Sequence, residues 1–411
     1  MSSPDTIRIA VRKFGPFETA LQKIWDSFCE ETSCTLRAEM VPMDLEELYA
    51  SAIEHRGLAN GDWDIAHVVT DWLYEAWTTG NLEDLKPYID QKPPVDFPIG
   101  WSPSLRASQQ YGDGIAGLPF HDGPECLIYR KDLFKDSREQ QAFHELHGKP
   151  LQVPRTWEEF QTVARFFNRP EQNLYGTVFA GYPDGHNTVF DFVLQLWTRG
   201  GELTNTAGNI IIGTPQAVES LQFYKQLLND AGAVHPGSLN YESVAMGMAF
   251  ARGEVAMMVN WFGFASMCEV IPESNVKGKV DITTLPSAPG FASASLNVYW
   301  LYTIGKGSRY KQVAYDFLRF AINQRNDKLV TLEGGIGCRV STWNDYGVNA
   351  IIPYYYKLEE LHLVARSLPQ KSNWAHIAKI IDEVVLAAIN TDTPIIDLLK
   401  QGQQKIDKLT E

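Results

Sequence analysis

Ile7, Ile9 and Val11 alternate along the chain in the period-two pattern of a strand. Phe17, Ala20, Leu21, Ile24 and Phe28 then recur at helical spacing. A second strand is expected over residues 36–41, followed by a helix that opens with Asp44 as cap and Glu47 as its answering acid. A third strand is expected over residues 64–69. Strand, helix, strand, helix, strand predicts a parallel sheet with helical crossovers. Beyond about residue 120 the pattern restarts. Thr156 and Glu159 form a second capping-box signature, heading a helix that buries Phe160, Val163, Ala164 and Phe167. Thr214-Pro215 caps a helix through Val218, Leu221, Tyr224 and Leu228. A buried strand is expected over 297–304, and helices over 313–322, 377–389 and from Thr393-Pro394 to Leu409. Proline- and glycine-bearing breaks near 117–124, 285–294 and 334–341 read as crossings between lobes that are discontinuous in sequence.

One stretch breaks the rule that strands empty into polar turns. Val255 to Val259 is an apolar run, and Asn260-Trp261-Phe262-Gly263 follows it. Two large aromatics at a corner are either core or a surface for something to sit on.

Length and composition narrow the possibilities. A chain of 411 residues exceeds what one core organises, so two or three domains are expected. Its 44% hydrophobic residues supply ample core, and a formal charge of -14 argues against nucleic acid or an anionic membrane as main partner. No apolar run reaches the roughly 20 residues of a membrane span. The start, MSSPDTIRIAV, shows no leader, which fits a cytoplasmic protein or a secreted one whose leader was replaced by an initiator methionine. The five cysteines form no CxxC or zinc spacing. Cys29 and Cys34 are near enough to bridge a helix end, although unpaired thiols are the favoured reading.

Catalytic and cofactor motifs are largely missing. Gly112 to Gly117 spells GxGxxG, but polar residues precede it and Leu118-Pro119 follows, so a turn is expected rather than a phosphate cradle. His144 and His147 stand at helical neighbour spacing without an evident third ligand, and read as a solvated face. No catalytic set, cofactor or metal is expected. With 50 acidic residues, a glycosidase pair remains open, so a carbohydrate-active enzyme acting on oligosaccharide is the alternative reading.

The surplus is aromatic: 12% of the chain, with eleven tryptophans. Several aromatics stand where strands end, beside Asp71, His121, Asp122, Asp184, His186 and Asn187. Open α/β sheets take ligands at the carboxyl ends of their strands. Flat apolar rings beside hydrogen-bonding groups suit a ligand with apolar faces and many hydroxyls.

On these features the chain resembles an extracellular solute-binding protein of an ABC importer, in the carbohydrate-binding cluster that includes the maltose-binding proteins. The resemblance rests on Asp64-Ile65 with Gly80 to Leu85, on Gly114 to Pro119, and on Leu127 to Phe134. Pro154 to Phe160, Gly253 to Met258 and Leu285-Pro286 complete it. It implies a two-lobe α/β fold of the periplasmic-binding-protein type II, each lobe a mixed, mainly parallel sheet flanked by helices, with the ligand cleft between lobes. The expected N-terminal lobe is 1–119 with 293–336, and the C-terminal lobe 120–292 with 337–411. The ligand residues it implies are Arg12, Lys13, Asp71, Trp72, His121 and Asp122, then Tyr182, Asp184, His186, Asn187, Trp261 and Phe262, and finally Asn297, Tyr299, Arg339 and Trp374. Cysteine at 338, where the family often has proline, is a departure that affects how Arg339 is presented. The implied partners are a sugar, oligosaccharide or sugar acid and a membrane permease. A monomer in the periplasm or another extracytoplasmic space is expected, with no nucleic acid.

Overall fold

The structure, a computed structural model, describes residues 5–183 and 185–410. The strands of its two larger sheets are β1 (Thr6–Arg12), β2 (Arg37–Met43), β3 (Ile65–Val69), β4 (Leu118–His121), β5 (Glu125–Arg130), β6 (Tyr175–Val178), β7 (Val255–Trp261), β8 (Val280–Thr283) and β9 (Trp300–Ile304). They belong to two compact units. The first holds the chain up to Gly123, Val298–Tyr356 and Gln370–Trp374; the second holds Pro124–Asn297, Lys357–Pro369 and the residues from Ala375 onward.

The first unit has sheet order β2-β1-β3-β9-β4. β1 runs parallel to β2 and β3, and β9 runs against β3 and β4. The alternating residues Ile7, Ile9 and Val11 are fully buried, as is every residue of β3. A strand covered on both faces needs such a continuous apolar run. The Gly15–Thr32 helix buries the stripe its spacing predicted, and Trp25 with it. Trp25 and Phe28 meet Phe317 with ring centroids 4.8 and 5.4 Å apart. The helix ends at Ser33, whose left-handed backbone (φ 56°) stops it. Asp44 caps the next helix through the Glu47 amide at 2.9 Å.

Two expected boundaries shift. Asp64 stays outside β3 because its carboxylate is committed to the Arg8 amide at 2.9 Å and the Ser308 hydroxyl at 2.6 Å. The late strand begins at Trp300 rather than 297. Residues 337–356, expected with the second lobe, pack with the first unit. Their anchor is Asp327, whose carboxylate accepts from the Cys338 amide (2.8 Å), the Arg339 amide (3.2 Å) and the Thr342 hydroxyl (2.5 Å).

The second unit has sheet order β8-β5-β7-β6, with β7 parallel to β6 and the other two pairings antiparallel. Val255 to Asn260 are all buried. The Trp157–Phe167 helix carries the predicted capping box, with Thr156 and Glu159 each accepting the other's amide at 3.2 Å. The Thr214 hydroxyl accepts from the Ala217 amide at 3.1 Å, ahead of the Pro215–Leu228 helix.

The GxGxxG letters form a hairpin turn between Gln110–Tyr111 and Gly114–Ile115, with Gly112 at φ 58°. No helix begins there to receive a phosphate. Among the described residues no group of three or more histidines, cysteines or acids is arranged to hold a metal, and no helix is long and apolar enough to cross a membrane.

Candidate functional site

In the first unit, the parallel strands β1 and β3 put the residues that follow them at one end of the sheet. There lie Arg12, exposed Lys13, and the Thr70-Asp71-Trp72 start of a helix. β9 begins at the same end, its Trp300 opposite both Val69 and His121. The rings of Trp72 and Trp300 meet edge to face at 5.9 Å, and Phe17 touches His121 at 4.7 Å. Trp72 is buried, whereas Trp300 and Asp71 are partly exposed. Asp71 sits in the first turn of the Thr70–Thr78 helix, where the helix dipole favours a negative charge. Tyr299 holds this turn in place: its carbonyl accepts from the Thr70 amide at 3.0 Å, and its amide donates to the Thr70 hydroxyl at 3.3 Å. Its buried hydroxyl donates to the Leu105 carbonyl, so Tyr299 braces the site and offers no free hydroxyl.

His121 is likewise engaged within its unit. Its Nδ1 accepts from the Ile336 amide at 2.8 Å, and the adjoining Asp122 amide donates to the Ile336 carbonyl at 3.0 Å. Burial lowers the His121 pKa from 6.5 to about 4, against the pull of Asp122. Burial, with His121 second, lowers the wholly buried His67 to about 3. Both are therefore neutral imidazoles at pH 7.

Their neutrality ties folding to pH. Unfolded histidines take up protons near pH 6.5, whereas these two resist until about pH 4 and 3. Their contribution to stability is complete above pH 6.5 and drains away as pH falls. The melting temperature is expected to drop from pH 6.5 to pH 4 by the equivalent of a few kcal/mol, since each tenfold loss of proton affinity is worth about 1.4 kcal/mol. The His121→Asn variant, which keeps an acceptor for the Ile336 amide, is expected to flatten part of that slope. An unaltered slope in circular-dichroism melts would show that His121 is not its source.

In the second unit, the parallel pair β6 and β7 ends beside the start of β5, because Trp261 lies opposite Glu125. β7 runs two residues beyond the predicted apolar run, and the Phe262–Val270 helix starts at once. The Trp261 amide donates to the Asn260 side chain at 2.8 Å, and Asn260 in turn holds the Ser243 carbonyl at 3.1 Å. Phe190 stands edge-on to Trp261 at 5.7 Å and 85°, and also meets His186 at 5.6 Å. The result is a group of rings, with Trp261 partly exposed and His186 and Asn187 partly exposed at the start of the Asn187–Trp197 helix. Tyr182, on the loop that leaves β6, is 49% exposed.

Nothing in the sequence pattern singles out Glu125. It is 4% exposed, and burial, with the charge of Asp191 second, raises its pKa well above the usual carboxylate range. It holds its proton more tightly than an ordinary carboxylic acid and lies across the sheet from Trp261. The Tyr224 hydroxyl donates to Asp191 at 2.6 Å, and Thr188 donates to Asp382. Trp300, also missed, could have been found by reading the β9 pattern from its true first residue.

Besides Trp72 and Tyr299, five expected ligand residues are buried, Asp122 among them at 2% exposure. Phe262 is fully buried at the first position of its helix. Asn297 is 2% exposed, with its amide on the Arg366 carbonyl at 2.8 Å. Trp374 is 1% exposed at the start of the Trp374–Asn390 helix. Arg339 is 1% exposed, lies over the Trp101 ring at 4.4 Å, and donates to Asp96 (3.0 Å), the Val95 carbonyl (3.1 Å) and the Ile322 carbonyl (3.1 Å). Asp184 lies outside the described residues.

Two α/β units, each presenting aromatic and polar side chains at one end of its sheet, are the architecture of a two-lobe binding protein of the periplasmic type II fold. The chain belongs to the bacterial extracellular solute-binding protein family, whose model matches residues 53–328. Maltose-bound MalE3 of T. maritima is 24% identical and superposes with a TM-score of 0.85, over 98% of this chain and 99% of that one. A solute-binding protein of Agrobacterium radiobacter K84, in complex with ribitol, is 24% identical with a TM-score of 0.86, over 99% and 100%. A protein of Deinococcus radiodurans named "Probable ABC transporter-binding protein" is 22% identical over 371 residues, 89% of this chain and 83% of that one. At these identities the two superpositions establish the fold. Family membership makes the chain a solute-binding protein of extracytoplasmic location and disposes of the enzyme reading.

Proposed function

We propose that this protein captures a polyhydroxylated solute, a sugar or sugar alcohol, and delivers it to an ABC permease. Trp261 supplies the floor and Asp71 an ionised acceptor for hydroxyls. The observation that carries this reading is the partly exposed Trp261 ring, held edge-on by Phe190 where β6 and β7 end. An indole fixed in this way offers a flat apolar face at little entropic cost. Asp71 suits the complementary part, since an ionised acceptor bonds hydroxyls more strongly than a neutral one. Arg12, Lys13, Trp72 and Trp300 lie at the same end of its sheet, and Tyr182, His186 and Asn187 follow β6 in the unit of Trp261. Maltose and ribitol, bound by the two similar structures, are the first solutes to try.

Capture works by hinge closure in this reading. A ligand that binds the closed state more tightly than the open one shifts the population toward it. The hinges fall where the chain passes from one unit to the other, after Gly123, Asn297 and Tyr356. The protein acts as a monomer in the periplasm or its equivalent. A dissociation constant near micromolar corresponds to about -8 kcal/mol, within reach of a few buried hydrogen bonds and one stacked face.

A thermal-shift series with maltose, ribitol and glucuronate tests the reading. A true ligand raises the melting temperature logarithmically with its concentration above the dissociation constant. The Asp71→Asn variant is expected to lose about tenfold in affinity for that ligand, the worth of about 1.4 kcal/mol, while its ligand-free melting temperature stays within a degree or two. Unfolding of the variant would instead assign Asp71 a structural role.

A further inference from the structure

The end of the Gly15–Thr32 helix carries a pair of thiols that solute capture does not use. Ser33 adopts the left-handed conformation, φ 56° and ψ 31°, that terminates many helices. In such an ending the residue after the left-handed one folds back onto the side chain five positions earlier. Here those two residues are Cys34 and Cys29, both partly exposed and close enough that Cys34 helps to raise the pKa of Cys29. The turn therefore brings together two sulfurs with only four residues between them.

The surroundings suit attack from solution. Cys34 lines an open hollow in the first unit together with Phe28, Lys92, Val95, Arg319 and Phe320. Lys92 is paired with Asp316 at 2.8 Å, and the buried Arg319 Nε has no hydrogen-bond partner among the described residues. With Lys92 and Arg319 against the single carboxylate of Asp316, the hollow carries a positive charge that attracts an anionic reagent. Cys126, Cys268 and Cys338 are buried by contrast, and burial raises the pKa of each.

We propose that Cys29 and Cys34 are a thiol–disulfide exchange site, closed by a small anionic disulfide of the glutathione type that enters the hollow at Cys34. The Cys34 thiolate attacks one sulfur of the reagent, the reagent's S–S bond breaks, and one thiol leaves with a proton from solvent. The Cys29 thiolate then attacks Cys34 Sγ in the mixed disulfide and expels the second thiol. The protein loses two hydrogens and two electrons, and the disulfide reagent gains both. Burial and the neighbouring Cys34 raise Cys29 to about 11, so Cys34 strikes first and Cys29 resolves. Closure fixes the last helical turn to the chain beyond Ser33.

The test incubates the folded, reduced protein with a large excess of glutathione disulfide, quenches with acid, denatures, and counts free thiols. The wild type is expected to fall from five thiols to three, and the tryptic peptide 24–37 to become two hydrogens lighter. The Cys29→Ser variant should stop at the first step and retain one glutathione on Cys34. The Cys29→Ser/Cys34→Ser double variant should keep its remaining three thiols. Five thiols surviving in the wild type would overturn the proposal, as would loss of thiols in the double variant. Tracking the folded fraction by circular dichroism ensures that the reacting species is native.

Discussion

Replacing Trp261 with alanine is expected to weaken ligand binding by roughly 30-fold, about 2 kcal/mol, the usual loss when a central aromatic anchor is truncated. The fold should survive. Trp261 is already partly exposed, and its backbone is held by the Asn260 side chain independently of the ring. A phenylalanine in its place should recover most of the affinity, because the flat face matters more than the indole N–H. Calorimetric titration with the best solute from the thermal-shift series decides the matter. An alanine variant that binds as tightly as the wild type would remove Trp261 from the site. The neighbouring Phe262 makes a useful contrast. It is fully buried, so its truncation should cost stability through a cavity before it costs affinity.

Replacing Arg339 with alanine is expected to do the opposite. The guanidinium is almost fully buried, lies over Trp101, and serves two carbonyls and Asp96. Its removal strands the carbonyls and opens a cavity beside the ring. Breaking a buried charged contact of this kind costs about 3 kcal/mol; the partial exposure of Asp96 keeps the figure at the low end. For units of this size that is a fall of roughly 10 °C in melting temperature. Lysine should rescue less than half of it, having no planar fork to reach several acceptors at once. Affinity in the folded fraction should be unchanged. A normal melting temperature combined with lost affinity would return Arg339 to the ligand site.

These two residues show what a sequence can and cannot disclose. Both stand beside a strand end or loop, both are chemically suited to grip a sugar, and both match a family position. The place of Trp261 was nearly legible, because the apolar run from Val255 to Val259 stops two residues short of where β7 ends. The burial of Arg339 was not, because Val95 and Asp96 lie 244 and 243 residues earlier, Trp101 belongs to the same distant segment, and even Ile322 is 17 residues away. Tyr299 and Trp300 make the same point at shorter range. Beginning the strand at residue 297 selects Tyr299, whereas the actual start at Trp300 turns that side chain into a brace and leaves Trp300 half-exposed. Glu125 carried no local signal at all. Its raised pKa depends on burial and on Asp191, more than sixty residues later. Helices were the most legible elements, since the caps at Asp44, Thr156 and Thr214 are set by residues within one turn.

The place of β9 in its sheet has a consequence for biosynthesis. β4 reaches the rest of its sheet only through β9, which the ribosome delivers about 180 residues later. Until then the nascent chain holds β3 with an unpaired edge that is apolar except for His67, and β4 without a home. The first unit therefore cannot close during early translation, whereas β5 to β8 are complete before β9 is made. A polypeptide that stays open this long has ample opportunity to be threaded through a translocation pore before it becomes too stable to unravel.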